Sequence, residues 1–514
     1  MKTVKGKMKS FVGNTLLMVI TVTLLSAQTA TQTAASPASQ AAAQPVARRP
    51  NILWFVVDDM SANFSSYGEK LIETPNVDRL AREGTRFSRA FTTGPVCSPS
   101  RSALITGMYQ TSINAHHHRS GRGAEKIRLP AGVEPVPVLF KRAGYYTANG
   151  GPQVKDSRQL AKTDYNFEWD QAMYDGNDWS GRRPGQPFFM QVQLHGGKLR
   201  HNKNWSQRAL NELGSLTKPE SVTLPPYYPR DTVLLEDWAQ YLDAVRYTDR
   251  EVGDVLRRLE KEGILDQTVI IFMTDHGISH AREKQFLYDG GTHVPFIVRG
   301  PGVESGAVRD DLIEHIDAVA ISLALAEIEI PKGMQARNVF AKDYRKRDAV
   351  FSARDRCDET VDRIRSVRTE GFKYIRNFYP QRPHLQPNAY KDGKEIVQRL
   401  REMHAGNKLG ALAEKILFSP TRAPEEMYDV RTDPHETRNL AADPKHGKAL
   451  REMRERLNRW IKESVDRGQQ PEPAAMFDSD MAVYLQEIGG RREDRLRMIR
   501  DNIALMKRWV AEGK

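Results

Sequence analysis

Two apolar runs that end in acids, and one cysteine, carry the chemistry this sequence offers. The run Ile52 to Val57 closes on Asp58 and Asp59, and "TVIIFMT" (268–274) closes on Asp275 and His276. Three carboxylates brought to one place would repel one another unless a cation stood among them. Oxygen donors suit Ca²⁺ or Mg²⁺, while the imidazole of His276 leans toward Mn²⁺ or Zn²⁺. One Asp-Asp pair is more often a strand-end turn or a cap; two acid pairs, each closing an apolar strand, point to a metal centre. "PVCSPSRSALITG" (95–107) holds Cys97, one of two cysteines among 514 residues. A helical run follows it, so the thiol lies where backbone N–H groups favour negative charge. Arg101 is four residues on, one helical turn away, and faces the same point. A buried structural cysteine is the other reading, and composition alone does not choose between them.

The elements that must position these groups read as an α/β fold. "NILWFVV" and "TVIIFMT" are β-prone apolar runs of the kind buried in parallel sheets, and "PFFMQVQLH" (187–195) and "VPFIVRGPG" are two more. Between them, "TPNVDRLAREG" has Thr74 as N-cap, Pro75 at the first helical position and Gly84 as terminator. "VPVLFKRAG" is a second helix. A long amphipathic helix follows from about residue 233, with Leu242, Val245, Val252, Val255, Leu256 and Leu259 near helical spacing. Strands alternating with helices predict a large, mainly parallel sheet flanked by helices. In such a sheet, ligands gather beyond the carboxyl ends of the strands, where both acid pairs fall. After about residue 348, "AVFSARDRCDETVDRIRSVRTEGFKYIRNF" and "EEMYDVRTDPHETRNLA" read as short antiparallel strands.

Five segments result: a signal peptide (1–27), a tether (28–49), a catalytic α/β domain (50–347), a smaller C-terminal α+β domain with an antiparallel sheet (348–447) and a helical extension (448–514). The lysine-rich start, the apolar run near residues 11–25 and the small residues around Ala27 predict export to the periplasm or beyond, with no stable membrane insertion after cleavage. Residues 28–49 are Ala, Gln, Thr, Ser and Pro without periodicity. Cys357 is expected to be an unpaired thiol. The formal charge of +12 implies an anionic partner. No zinc-finger spacing or RNP-like motif points to nucleic acid, so an acidic polysaccharide or a membrane surface is the better match for an exported basic protein.

"CSPSR" followed by "SALITG" resembles the signature of the type I sulfatases, in which the cysteine is converted to formylglycine by a dedicated maturation system. "VVDDM" and "MTDHG" resemble that family's two metal-binding strands, "EKQFLYDGGTHVP" its later lysine-containing loop, and "EEMYDVRTDPHETRNLA" its C-terminal segment. The resemblance runs from about Asn51 to Ala441. It implies an alkaline-phosphatase-like sandwich and a sulfuric ester hydrolase. It further implies that Asp58, Asp59, Asp275, His276 and residue 97 hold a divalent ion, taken as Ca²⁺ with Mg²⁺ or Mn²⁺ as alternatives. The aldehyde at position 97 would hydrate to a geminal diol, one hydroxyl attacking sulfur and the second expelling the sulfate. Arg101 would steady the activated hydroxyl and Lys284 would contact the sulfate.

Some positions depart from the family pattern. Where a Gly-Lys-aromatic-His segment is usual, "NGGPQVKDSRQLAKTDYNF" stands, with Lys162 as the first candidate for the missing lysine and Lys155 as the second. Asp164 falls where the histidine would be. The strand ending "LHGGKLRH" offers His195 to protonate the leaving oxygen, with Lys198 or His201 as substitutes and Lys198 also as a substrate contact. His276 stands in place of an asparagine. "AHHHRSGRG" supplies His116 and His117 as substrate-facing groups on a surface loop, and His293 is a further substrate-binding candidate. Segment-level similarity to heparan N-sulfatases and carrageenan sulfatases implies a sulfated polysaccharide or glycosaminoglycan substrate. Two alternatives stand beside it: a phosphodiesterase or phosphonate monoester hydrolase on the same fold, and a non-catalytic protein that binds sulfated glycans.

Overall fold

The structure is a computed structural model that describes residues 49–514 except 157 and 490–492. The expected signal peptide, and all but the last residue of the tether, lie outside the described residues. Residues 49–514 belong to one compact unit.

The larger sheet has the order β3-β4-β1-β5-β6-β2-β7. Its strands are β1 (Asn51–Val57), β2 (Gly84–Phe91), β3 (Tyr146–Gly150), β4 (Phe188–Leu194), β5 (Thr268–Thr274), β6 (His293–Arg299) and β7 (Ala307–Glu314). All neighbours pair in parallel except β6, which is antiparallel to both β5 and β2. The expected mainly parallel sheet is therefore present. β2 and β7 have no uninterrupted apolar run, which is why sequence patterning does not reveal them.

The pleat sends successive side chains of β1 to opposite faces. Ile52, Trp54 and Val56 join one apolar core, and Leu53, Phe55 and Val57 join the other. Both cores are roofed by helices: α1 (Pro75–Glu83), α2 (Cys97–Thr106), α3 (Val136–Arg142), α4 (Trp205–Leu213), α5 (Thr232–Lys261), the one-turn α6 (Asp289–Thr292) and α7 (Asp317–Leu325). Along α5 the expected stripe is the buried one: Leu242, Val245, Val252, Leu256 and Leu259 are in the core, and Val255 packs half-buried at its edge. Each such side chain contributes about 1.5–3 kcal/mol by leaving water.

The second sheet, β11-β10-β9-β8, is antiparallel throughout. It comprises β8 (Val350–Arg354), β9 (Ile364–Arg368), β10 (Phe372–Asn377) and β11 (Glu425–Asp429), with helices α8 (Ala389–Asp392), α9 (Glu395–Ala405) and α10 (Ala411–Leu417) inserted between its last two strands. It is joined to the first sheet by backbone contacts, among them Ala353 N–H donating to Thr93 O at 2.8 Å. Three helices end the chain: α11 (Gly447–Glu463), α12 (Ala474–Ile488) and α13 (Glu493–Ala511). No helix among the described residues is long and apolar enough to cross a membrane.

Candidate active site

Parallel register places the chemistry. Val57 is opposite Leu194 on β4 and opposite Thr274 on β5, so the three strands stop together. The residues that follow them, Asp58–Asp59, His195 and Asp275–His276, therefore emerge at one edge of the sheet. Asp59 takes a left-handed backbone conformation, φ 52°. The loop after β4 passes so close that a Cβ on Gly196 would lie 2.3 Å from Asp58 O, and one on Gly197 2.2 Å from Asp59 O. The two glycines of "LHGGK" let that loop close over the acid pair, and Gly197 N–H donates to Asp58 O at 2.9 Å.

Cys97 is the first residue of α2, a helix buried on every side, and its Sγ points into this edge. His276 Nε2 lies 3.2 Å from Sγ, Lys284 Nζ 3.1 Å, Lys198 Nζ 3.5 Å, and Asp58 Oδ1 and Asp59 Oδ1 each 3.7 Å. Lysines close the circle: Lys162 and Lys198 donate to Asp58 Oδ2 at 2.8 and 2.7 Å, and Lys284 donates to Asp59 Oδ1 at 2.7 Å. Arg101 donates from Nε to Asp275 Oδ2 at 2.9 Å and from Nη1 to Gln193 Oε1 at 2.6 Å.

The electrostatics follow from burial and these cations. Burial alone would push the Asp58 carboxyl up, but Lys162, Lys198 and Arg101 together hold it well below the usual carboxylate range. Burial likewise opposes ionisation of Asp59, and Lys198, Lys284 and His276 outweigh it. The Cys97 thiol is also held well below its ordinary value, as Lys162, Lys198 and Lys284 overcome its desolvation. Asp275 goes the other way: burial and the neighbouring Asp58 charge push it up to about 6.

The donor set fits a divalent cation. One donor atom each from Asp58, Asp59, Cys97 and His276 lies within 4.8 Å of the others, all of them buried. His276 Nδ1–H donates to Gly277 O at 2.8 Å, which leaves Nε2 free to face the cluster. Asp275 stands at the margin, with Oδ1 3.5 Å from His276 Nε2 and accepting from Asp59 N–H at 3.2 Å.

The Sulfatase family profile matches residues 50–328, more than half of the chain. The chain belongs to the sulfatase family. A second profile, the C-terminal region of N-sulphoglucosamine sulphohydrolase, matches residues 276–416. An ulvan-active sulfatase of Formosa agariphila is 32% identical over 470 residues, covering 82% of this chain and 76% of that protein. Human N-sulphoglucosamine sulphohydrolase is 25% identical, over 82% of this chain and 91% of its own. Among solved structures, a protein in complex with its substrate D-glucosamine-2-N,6-O-disulfate has the same fold (TM-score 0.55, 19% identity, 81% of this chain and 98% of that one). So has a phosphonate monoester hydrolase of Agrobacterium radiobacter (TM-score 0.56, 17% identity, 81% and 96%). The alkaline-phosphatase-like architecture expected from the sequence is thereby shown, and this sulfatase is a sulfuric ester hydrolase.

The other predicted residues divide clearly. Lys162 reaches the centre, whereas Lys155 is exposed. His195 is exposed at the mouth, and partial burial lowers its pKa while Asp58 opposes that shift. Lys198, expected only as a substitute or substrate contact, is within reach of both Asp58 and Cys97. His201 lies aside, bonded to Lys394 Nζ at 2.7 Å. His116 is not on a surface loop: it is buried, with its pKa down at about 3 through desolvation and Arg365. His117 is similarly enclosed, its Nδ1 accepting from Arg356 N–H at 3.2 Å. The "HHH" loop folds inward because the segments after β8 and the C-terminal helices pack over it. His293 is not brought to Cys97 either; at the start of antiparallel β6 it bonds Ser88 O at 2.9 Å and packs on Phe91. Cys357 is free and buried, as expected.

Sequence reasoning missed two groups. His118 joins Cys97 and Asp164 in one cluster and lies with Nδ1 3.0 Å from Asp358 Oδ1. Tyr390, from α8, donates its hydroxyl to Asp59 Oδ2 at 2.9 Å. Tyr390 carries no motif, and only the "HHH" cluster advertised His118.

Proposed function

We propose that this protein is an exported sulfatase that removes sulfate from a sulfated polysaccharide or its oligosaccharides, with Cys97 matured to formylglycine. The observation that carries the reading is the position of Cys97 Sγ, at a helix N-terminus and ringed by Asp58, Asp59, His276, Lys198 and Lys284. A structural thiol has no need of two lysines and a buried acid pair. The names of the relatives, ulvan-active and N-sulphoglucosamine-active, support an anionic polysaccharide as the substrate class.

Asp58, Asp59, His276 and residue 97, with Asp275 at the margin, would hold a divalent cation, Ca²⁺ or alternatively Mg²⁺ or Mn²⁺. Such an ion supplies charge to the sulfate oxygens and acidity to an oxygen at position 97. The matured residue supplies the attacking oxygen. Lys162, Lys198 and Lys284 already gather their ammoniums here, on the oxygens of Asp58 and Asp59, and would turn to the sulfate oxygens once a cation takes those carboxylates. Arg101 holds Asp275 and keeps a fixed positive charge beside residue 97. His195, exposed directly after β4, would protonate the leaving oxygen, and an anionic ester beside it would oppose the downward shift that burial causes.

Mass measurement of the peptide containing residue 97, from protein made with a maturation system, tests the modification. Sulfate release from ulvan, heparan and carrageenan oligosaccharides tests the activity. Cys97→Ala is expected to abolish release and to leave the thermal midpoint within a few degrees of the parent. Equal release by Cys97→Ala, or turnover of phosphonate esters in preference to every sulfated saccharide, would overturn the reading.

A further inference from the structure

Beside the metal-fitting cluster opens a cleft of about 960 Å³. Its inner end is formed by Lys198 and Tyr390, which touch the active-site acids. Lys394, only 7% exposed, lines the same cleft. Its ammonium donates to the neutral Nε2 of His201 at 2.7 Å and sits 4.5 Å from the centre of the Tyr390 ring. No carboxylate among the described residues pairs with it, whereas Lys162, Lys198 and Lys284 at the centre each have one, and buried Lys391 nearby is satisfied by the backbone oxygens of His280 and Ala281. Arg200, also on this floor, spends Nε on Asp237 and Nη1 on Gly197 O, while its buried Nη2 has no partner.

A buried cation without a counter-charge is costly: such an amine gives up its proton unless an anion comes to pair with it. The carboxylates that line the cleft do not supply it. Asp237 is engaged by Arg200 and His280. Glu236, Glu395, Glu493 and Asp494 are exposed at the outer rim. Burial and the Arg200 charge together hold Lys394 well below the ordinary lysine range, and an anion arriving beside it would favour its charged form.

Tyr390 fixes the spacing. Lys284, which faces residue 97, lies 4.8 Å from the centre of the same ring. The two ammoniums therefore lie 4.8 and 4.5 Å from the centre of one ring, close enough to meet two charged substituents of one sugar or of two adjoining sugars.

We propose that Lys394, with His201 and the free edge of Arg200, forms a second anion-binding subsite that takes a further oxyanion on the saccharide carrying the scissile sulfate. The oxyanion is a uronate carboxylate or a second sulfate. This rests on the sulfated-saccharide reading above, and it makes the enzyme selective for multiply charged sugars.

The test is equilibrium binding to unmatured full-length Cys97→Ala protein, which cannot turn over. Four disaccharides serve as probes: a sulfated uronate-containing one, its carboxyl-reduced form, the reduced form with a second sulfate, and an unsulfated uronate control. Loss of the second anion is expected to weaken binding about tenfold or more, the worth of one charge-assisted hydrogen bond. Adding Lys394→Gln should bring the charged and reduced forms to near parity, and Lys394→Arg should keep part of the preference. Recovery by the second sulfate assigns a general oxyanion site; recovery by carboxylate alone assigns a uronate site. Equal affinity for the first two probes overturns the subsite, with or without a folded Lys394 variant. Sulfate release is measured separately with matured protein. Its absence from every sugar, beside a clear binding preference, would sink the sulfatase reading and leave the subsite standing.

Discussion

Asp59 is the most heavily engaged carboxylate at the centre: Lys284 reaches one oxygen, and Tyr390 donates to the other at 2.9 Å. A hydroxyl that orients a ligating carboxylate typically changes metal affinity about 10–100-fold when removed. Tyr390→Phe should therefore raise the metal concentration needed for half-maximal thermal stabilisation by about tenfold. A metal titration followed by differential scanning calorimetry reads this without reference to turnover, and an unchanged midpoint would refute the role. The example also marks how far the sequence goes. Asp58, Asp59, Cys97, Arg101, Asp275, His276 and Lys284 were legible because each belongs to a short local pattern. Tyr390 and His118 were not, since they arrive from segments far along the chain through tertiary packing. Lys162 lies between these cases: its segment departs from the family pattern, yet the ammonium comes to Asp58 at 2.8 Å.

At the scale of elements, α5 shows what periodicity can and cannot reveal. Its apolar stripe was readable from spacing, but the stripe does not show that Glu251 is buried beside it. One oxygen of Glu251 accepts from Gln153 at 3.2 Å and the other has no partner. Desolvation raises its pKa to about 7. In the unfolded chain the group titrates near 4.3. Between these values the folded protein binds more protons than the unfolded one, so stability falls as pH rises through that window. Glu251→Gln keeps the hydrogen bond and removes the charge. The variant is expected to gain up to about 3.5 kcal/mol at pH 8 and only about 0.5 kcal/mol at pH 4.5, with a flatter stability profile between. Denaturant melts at the two pH values check this, and an equal shift at both would show that titration is not the cause. β2 and β7 illustrate the opposite limit. Their alternating, partly exposed residues carry no continuous apolar signal, and only pairing with β6 and with each other makes them strands.

At the scale of the whole molecule, the C-terminal helices are structural partners of the site's supporting loops. The two family profiles end by residue 416, so neither accounts for these helices. Arg356, fully buried next to His117 and His118, pairs with Glu472 at 2.6 Å and with Asp480 at 2.7 Å. Asn502 donates to Glu359 at 2.8 Å, and Arg382 donates to the backbone oxygen of Lys514, also at 2.8 Å. Glu472→Gln combined with Asp480→Asn would strip Arg356 of both counter-charges while the helices still bury it. Breaking a buried pair in this way costs about 3–5 kcal/mol, because the desolvation penalty stays when the compensation goes. The double variant is therefore expected to melt well below the parent. Adding Arg356→Met to it should recover part of the loss, since an apolar side chain of similar length needs no counter-charge. Arg356→Met in the parent should destabilise, because it leaves Glu472 and Asp480 facing each other without the cation. A thermal midpoint measured for all four proteins separates the explanations. If Arg356→Met lowers both backgrounds equally, the helices act through apolar packing and not through the arginine.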